Sequence, residues 1–253
     1  MRERAEHALG RRSDLIPPVR HLLAAAWAGA LEFMNHDRVC ARHWDSLYSE
    51  FAEFQFALCD VHGAVVAAGF SIPVAWSGRT RDLPSGLDGV LEQGAGDRAR
   101  RRRPTTLSAL LAVVAPEVLT QGLSGEILSG MKALAERHAF RELIAPVRPT
   151  LKHRYPLIPM GRYARWTRAD GAPFDPWLRT HHRLGATFLG VAPRSMVVTG
   201  TVAEWQAWTG MEFPASGVYV VPGALAPVTV DRRRDLGRYV EPNVWMRHDL
   251  APA

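Results

Sequence analysis

Lysine is almost missing: only Lys132 and Lys152 occur, so 29 of the 31 basic residues are arginine. The net charge of +6 and a pI near 9.9 would otherwise invite a nucleic-acid surface. An arginine skew beside abundant alanine and glycine fits GC-rich codon usage equally well, so basicity alone does not show phosphate contacts. Cysteine is as scarce, with Cys40 and Cys59 forming no CxxC pair. That excludes a zinc-ribbon spacing and a disulfide framework. No apolar run reaches the roughly 18–20 residues of a membrane span, and the opening MRERAEHALGRRSDL has no secretion-signal core. His181 and His182 are adjacent and so leave different faces of a helix, without a carboxylate at ligand spacing. The expectations are a cytoplasmic protein with free thiols, no membrane partner and no metal.

What is present reads as alternating helical and extended segments. Residues 1–15 lack apolar periodicity and read as a flexible start, with one domain over 16–250. Val19, Leu22, Leu23, Ala26, Trp27 and Leu31 have amphipathic-helix spacing, and a second helix is expected after Asp37. Phe54, Phe56 and Leu58 alternate with polar or small residues, Asp60–Gly63 turns the chain, and AVVAAGFSIPV returns as a strand: a β-hairpin. A short helix is expected around Leu87–Glu92. The run DRARRRRP is either a solvated loop or a polyanion-binding patch. LSALLAVVA (Leu107–Ala115) is apolar on both faces, as a central strand should be. The helix that follows carries Leu123, Ile127, Leu128, Met131 and Leu134 on one stripe, and ELIAPV is the next strand. Beyond it, helical pieces are expected around Leu151–Thr167 and Phe174–Gly190. Strands are expected at Ser195–Val202, Gly217–Val221, near Pro227–Val230 and at Tyr239–Met246. The whole predicts an α/β fold of the α+β type.

Between the central strand and its helix lies LTQGLSG (Leu119–Gly125). It is not a P-loop, because no lysine follows in register, nor a dinucleotide fingerprint, because the third glycine is absent. Ser124 is not a hydrolase nucleophile either, since Glu126 stands where GxSxG requires glycine. What remains is a helix N-terminus, whose unpaired N–H groups bind anions, with small side chains at Gly122, Ser124 and Gly125. The alternative is a tight strand-to-helix connection.

The order helix, helix, hairpin, central strand, glycine turn, helix, strand resembles the GNAT acyltransferase superfamily. Leu119-Thr120-Gln121-Gly122-Leu123-Ser124 is similar to that family's [R/Q]-x-x-G-x-[G/A] loop, with Gly122 matched and Leu119 in place of Arg or Gln. Arg148 stands where the family often has Asn, and Tyr155 falls at its tyrosine seven residues later. The segments SIPVAWSG, DLPSGLDGVL, APVRPTLKHRYP, FDPWLRTHHRLGA, EWQAWTGMEFP and EPNVWMRH look like an actinobacterial GNAT-like subfamily.

The resemblance implies a mixed, mostly antiparallel central sheet with splayed fourth and fifth strands, flanked by helices. It also implies an N-acyltransferase that uses acetyl-CoA or another acyl-CoA on a small-molecule amine by direct attack. Val113, Val114 and Ala115 would pair with the pantetheine amides, and Leu119 through Gly125 (Thr120, Gln121, Gly122, Leu123 and Ser124 between them) would hold the pyrophosphate. Tyr155 would be the acid for the departing thiolate; its plain alternative is a helix tyrosine packed on the sheet. Thr105–Pro116 has no carboxylate to act as base, which leaves Asp60, His153, His181 or water relays, and Arg148 beside Lys152 and Arg154 could meet donor phosphates or an acidic acceptor. The family also includes aminoacyl-tRNA or acyl-carrier-protein donors in natural-product pathways, non-catalytic ligand binders, and homodimers; those readings stay open here.

Overall fold

The computed structural model describes residues 4–250. Among them, period-two segments form nine strands of one sheet: β1 (Ala5–Ala8), β2 (Gln55–Cys59), β3 (Val65–Val74), β4 (Thr106–Val114), β5 (Glu142–Val147), β6 (Thr187–Gly200), β7 (Gly217–Tyr219), β8 (Val228–Asp231) and β9 (Leu236–Asp249). The order is β1-β2-β3-β4-β5-β9-β8-β7, and β6 pairs with the other edge of β9. Every pairing is antiparallel except β4 with β5. That parallel pair holds only over Leu107–Leu143 and Ser108–Ile144. Beyond it β4 runs on to Val114 against β3, while β5 runs on to Val147 against β9, so the two strands part. The splayed sheet is as the sequence led us to expect.

The helices are α1 (Ile16–Trp27), α2 (Arg38–His43), α3 (Leu87–Ala99), α4 (Leu123–Arg137), α5 (Met160–Tyr163), α6 (Pro176–Arg183) and α7 (Val202–Thr209). They cover both faces. Gly69 on β3 faces Ile127 of α4, whereas Phe70 beside it meets Trp44 at a tilt and Tyr48 edge-to-face from the α1–α3 side. This explains why β3 and β4 read as apolar throughout. One core cluster lies around β2–β5 with α1 and α4, and a second gathers Phe33, Val198, Trp205, Phe213 and Tyr239 around the C-terminal strands.

Several boundaries differ from the sequence reading, each for a local reason. Within the start read as flexible, Ala5–Ala8 pairs with β2 as the edge strand, an interaction too short to leave a periodic signal. α1 stops at Trp27 and is followed by a 3-10 stretch, Gly29–His36. α3 extends to Ala99 despite three internal glycines, because it packs close to β3; a Cβ on Gly94 would lie 2.4 Å from Ile72 Cδ1. Expected helices after β5 shrink to a 3-10 turn (Lys152–Arg154), α5 and α6. β6 begins eight residues before Ser195 and ends at Gly200. Val202 belongs instead to α7, which opens with a capping box between Thr201 and Glu204.

Candidate active site

The mouth of the β4–β5 splay is built largely from backbone. Val113 is buried on β4, with Val114 and Ala115 half-buried at its end. The pairing register skips Leu110, because Phe70 faces Leu111 and Ser71 faces Ala109. Leu110 is therefore a β-bulge, which re-aims nearby backbone groups; no residue-type signal announces it. After Ala115 a 3-10 turn, Pro116–Gln121, leads into α4. Leu119 projects from it, 60 % exposed, and the side chains of Thr120 and Gln121 lie outside the described residues.

Gly122 takes φ +77°, a left-handed conformation that favours glycine. Apart from its two chain neighbours, none of the described residues has an atom within 4 Å of where its Cβ would stand. Among the described residues no side chain caps α4, so its first N–H groups present the helix's partial positive charge at the turn. Leu123 is fully buried and anchors the turn, while Ser124 and Gly125 are half-buried. A cleft of about 470 Å³ continues from Gly125 and Ser129 to Thr180, Arg183 and Leu184 of α6 and just beyond.

On the far side of β5 the loop Arg148–Pro159 is ordered by buried polar groups. Asp175 is 2 % exposed. Its carboxylate accepts from Thr150 N (3.2 Å), Leu151 N (2.8 Å), Trp177 N (3.0 Å), Leu178 N (3.3 Å) and the Tyr163 hydroxyl (2.7 Å). It thus caps α6 and holds the loop at once. The Asp-Pro pair of FDPWL is a helix-start signal, but its second role in the loop is a tertiary fact. Burial, with the bond to Asp175, raises the Tyr163 phenol far above its ordinary value.

Tyr155 ends the 3-10 turn rather than sitting on a helix. Its ring is held by Trp166 (5.0 Å), Tyr163 (5.9 Å) and Phe174 (6.0 Å). Arg148 leaves the end of β5 and is consumed internally: Nε donates to Glu241 (2.9 Å) and Nη2 to the Gly223 carbonyl (2.7 Å). Phosphate or acceptor contacts by Arg148 would have to break a buried ion pair. His153 Nδ1 meets the Thr150 carbonyl of its own loop at 2.9 Å. Asp60 accepts from His62 N and Ala64 N, closing the β2–β3 turn.

As a base, His181 is corrected by the structure. It is 1 % exposed, its Nδ1 lies 3.0 Å from His248 Nε2, and burial pushes it down to about 3. His248 is pushed by burial to about 4. Both rings are neutral near pH 7 and are part of the packing of α6 on β9.

A second polar nest lies between the N-termini of α2 and α3. Oxygens of Asp37 and Asp88 and the Cys40 thiol lie within 4.8 Å of one another. Asp37 caps α2 through Cys40 N (2.8 Å), and Asp88 accepts from Val197 N (3.1 Å). Burial, then the charge of Asp37, raises Asp88 to about 7. A proton retained on Asp88 accounts for two buried carboxyl groups side by side.

No family profile matches the chain. It is 32 % identical over 258 residues to an arginine N-acetyltransferase, AvaD, of Aspergillus versicolor, covering 91 % of this chain and 87 % of the relative. This chain belongs to the GNAT N-acetyltransferase superfamily. Solved structures of similar fold include the loading GNATL domain of CurA from Lyngbya majuscula, at TM-score 0.60 and 14 % identity over 98 % of both chains. A GNAT-like decarboxylase, GphF, solved with isobutyryl-CoA, aligns at TM-score 0.56 and 17 % identity over 98 % of this chain and all of that one. The chemistry of the present chain is acyl transfer to an amino group. In GNAT terms β4 and β5 are the splayed pair, and the α4 N-terminus stands at their open end.

Proposed function

We propose that this GNAT protein transfers an acetyl group from acetyl-CoA to an amino group of a small arginine-like acceptor. The carrying observation is the uncapped α4 N-terminus at the open end of the splay, where Gly122 leaves the space of a side chain unfilled. N–H groups at Gly122–Ser124 would hold the pyrophosphate, and the cleft at Arg183 would take the nucleotide end of the donor. Unpaired edges of β4 over Val113–Ala115 and of β5 would flank the pantetheine arm. The acceptor class rests on the AvaD relative, an arginine N-acetyltransferase.

The donor supplies an activated thioester carbonyl, and the protein's own groups do the rest. The bulge at Leu110 turns a β4 backbone N–H out of the ladder, where it would stabilise charge on the carbonyl oxygen. Tyr155, with its ring fixed by three aromatic neighbours, would deliver a proton to the departing sulfur. Two of the five arginines of the run are paired with acids, Arg98 with Glu50 at 2.9 Å and Arg102 with Asp97 at 3.3 Å, which leaves less of it to meet a polyanionic donor.

Calorimetric titration of CoA and acetyl-CoA, followed by assay of L-arginine acetylation, tests the reading. Micromolar CoA binding with turnover is the expected result, and Tyr155→Phe should lower kcat at least tenfold with CoA affinity within about twofold. Absence of CoA binding, or salt-sensitive tRNA binding in its place, would overturn the donor. An unchanged kcat would remove Tyr155 from the chemistry.

A further inference from the structure

A second cavity, of about 470 Å³, lies on the other side of the Tyr155 loop. Its size suits a small organic molecule. Its lining mixes polar groups with the apolar side chains of Ile158, Met160, Ala226 and Val240 and several prolines. Two cations reach it, Lys152 at the base and Arg238 at the exposed rim, together with Thr229. No carboxylate lines it.

The imbalance is sharpest at Lys152. It is 1 % exposed, yet it makes no ion pair among the described residues. An ammonium group has three N–H donors. Two are used, on the carbonyls of Tyr155 (2.7 Å) and Leu225 (2.5 Å), and the ring of Tyr163 lies 5.8 Å from Nζ. The third donor has no acceptor. Burying a cation without a counterion is expensive, and a fold needing only to fill space could use methionine or leucine there. Arg238 likewise has no acidic partner among the described residues, so both cations are left with unspent charge.

From this geometry we infer that the cavity binds a carboxylate-bearing aliphatic ligand, the acid end of the acceptor itself, with Lys152 and Arg238 holding the carboxylate and the apolar wall holding the methylene stem. The inference rests on the acceptor reading above, and it adds that the acceptor is an amino acid rather than an amine lacking the acid group. Lys152 donates to the Tyr155 carbonyl, so occupancy of the cavity bears directly on the loop that presents Tyr155. Without an anion, burial lowers Lys152 to about 8; a bound carboxylate should raise it again.

The scarcity of lysine makes this directly observable. Protein labelled with ¹⁵N-lysine carries two side-chain signals, from Lys132 and Lys152, assigned through Lys132→Arg. L-arginine and hexanoate should each shift the Lys152 signal and raise its titration midpoint while leaving Lys132 unmoved. Agmatine, which is arginine without the carboxylate, should leave Lys152 unmoved. In turnover, L-arginine should exceed agmatine in kcat/KM by about 10- to 100-fold, the range of a charge-assisted hydrogen bond. Lys152→Met should collapse that ratio through KM, and the milder rim variant Arg238→Gln should reduce it part-way.

A Lys152 signal indifferent to saturating L-arginine and hexanoate would overturn the inference, as would equal shifts from agmatine. If neither amine is acetylated but hexanoate still shifts Lys152, the acceptor reading fails and the carboxylate site stands.

Discussion

The two banks of the splay are built on opposite principles. On the α4 bank, Ala115–Gly125, the groups facing the opening are backbone N–H, the glycine is left-handed, and among the described residues no side chain caps the helix. On the β5 bank, Arg148–Met160, the organising groups are buried side chains, with Asp175, Glu241 and Lys152 each under 3 % exposed. Backbone binding makes few demands on residue type beyond smallness, which is why Leu119 can replace the family's Arg or Gln without disturbing the helix start. Side-chain organisation is the reverse: each polar group has several partners, and losing one strands the others. The α4 bank should therefore fail in donor binding when altered, and the buried carboxylates of the β5 bank in stability.

The largest effect is expected at Asp175. Asp175→Ala strands four backbone N–H groups and the Tyr163 hydroxyl. A buried unsatisfied donor costs on the order of 1–3 kcal/mol, moderated where water can enter. A loss of about 3 kcal/mol is expected, or roughly 10 °C in Tm for a chain of this size. Thermal unfolding would show it, and a drop below about 1 kcal/mol would mean that the loop does not depend on this carboxylate.

Gly122→Trp tests the other bank. An indole at Gly122 starts from a Cβ position with no atom of the described residues within 4 Å apart from its chain neighbours, so the cost to folding is confined to the left-handed backbone, about 1–2 kcal/mol. CoA affinity should fall at least tenfold by calorimetry. Equal affinity in the variant would show that the donor does not pass over this turn. Destabilisation as large as that of Asp175→Ala would erase the contrast between the banks.

The difference between the banks also explains how much could be read from residue order alone. Elements with strong periodicity were legible: the β2–β3 hairpin, β4, α4 and β5; the splay between β4 and β5 came from the family resemblance. At LTQGLSG, single missing residues, the lysine of a P-loop or the second glycine of GxSxG, sufficed to exclude other motifs, and only the family resemblance suggested a cradle there. The β5 bank was not legible. Arg148 and His181 look like site residues as letters, and only their partners, Glu241 and His248, more than 60 positions away in sequence, show them absorbed in packing. Asp175 and the bulge at Leu110 were missed for the same reason, since one acts through tertiary hydrogen bonds and the other exists only as a register between strands.

The smallest effect, and the one that separates buried groups by sign, is the dependence of stability on pH. His181 and His248 titrate in the folded protein at about 3 and about 4, below the ordinary histidine value of 6.5. Between about pH 4 and 6.5 the unfolded chain therefore binds two protons that the native state refuses. Their stabilising contribution is complete above 6.5 and is lost as pH falls through that window. Asp88, raised to about 7 from 3.8, works the other way: the native state keeps a proton that the unfolded chain has released, and stability falls as pH rises from about 4 to 7. These three groups together leave a net slope of about one proton, near 1.4 kcal/mol per pH unit, with stability rising toward neutrality. His248→Gln should flatten that slope by about one proton, and Asp88→Asn should steepen it by about one. Urea unfolding at pH 5, 6 and 7 reads both. Slopes that move in the same direction in the two variants would contradict the neutral histidine pair or the protonated Asp88, and unfolding each variant at pH 8 would show which assignment is at fault.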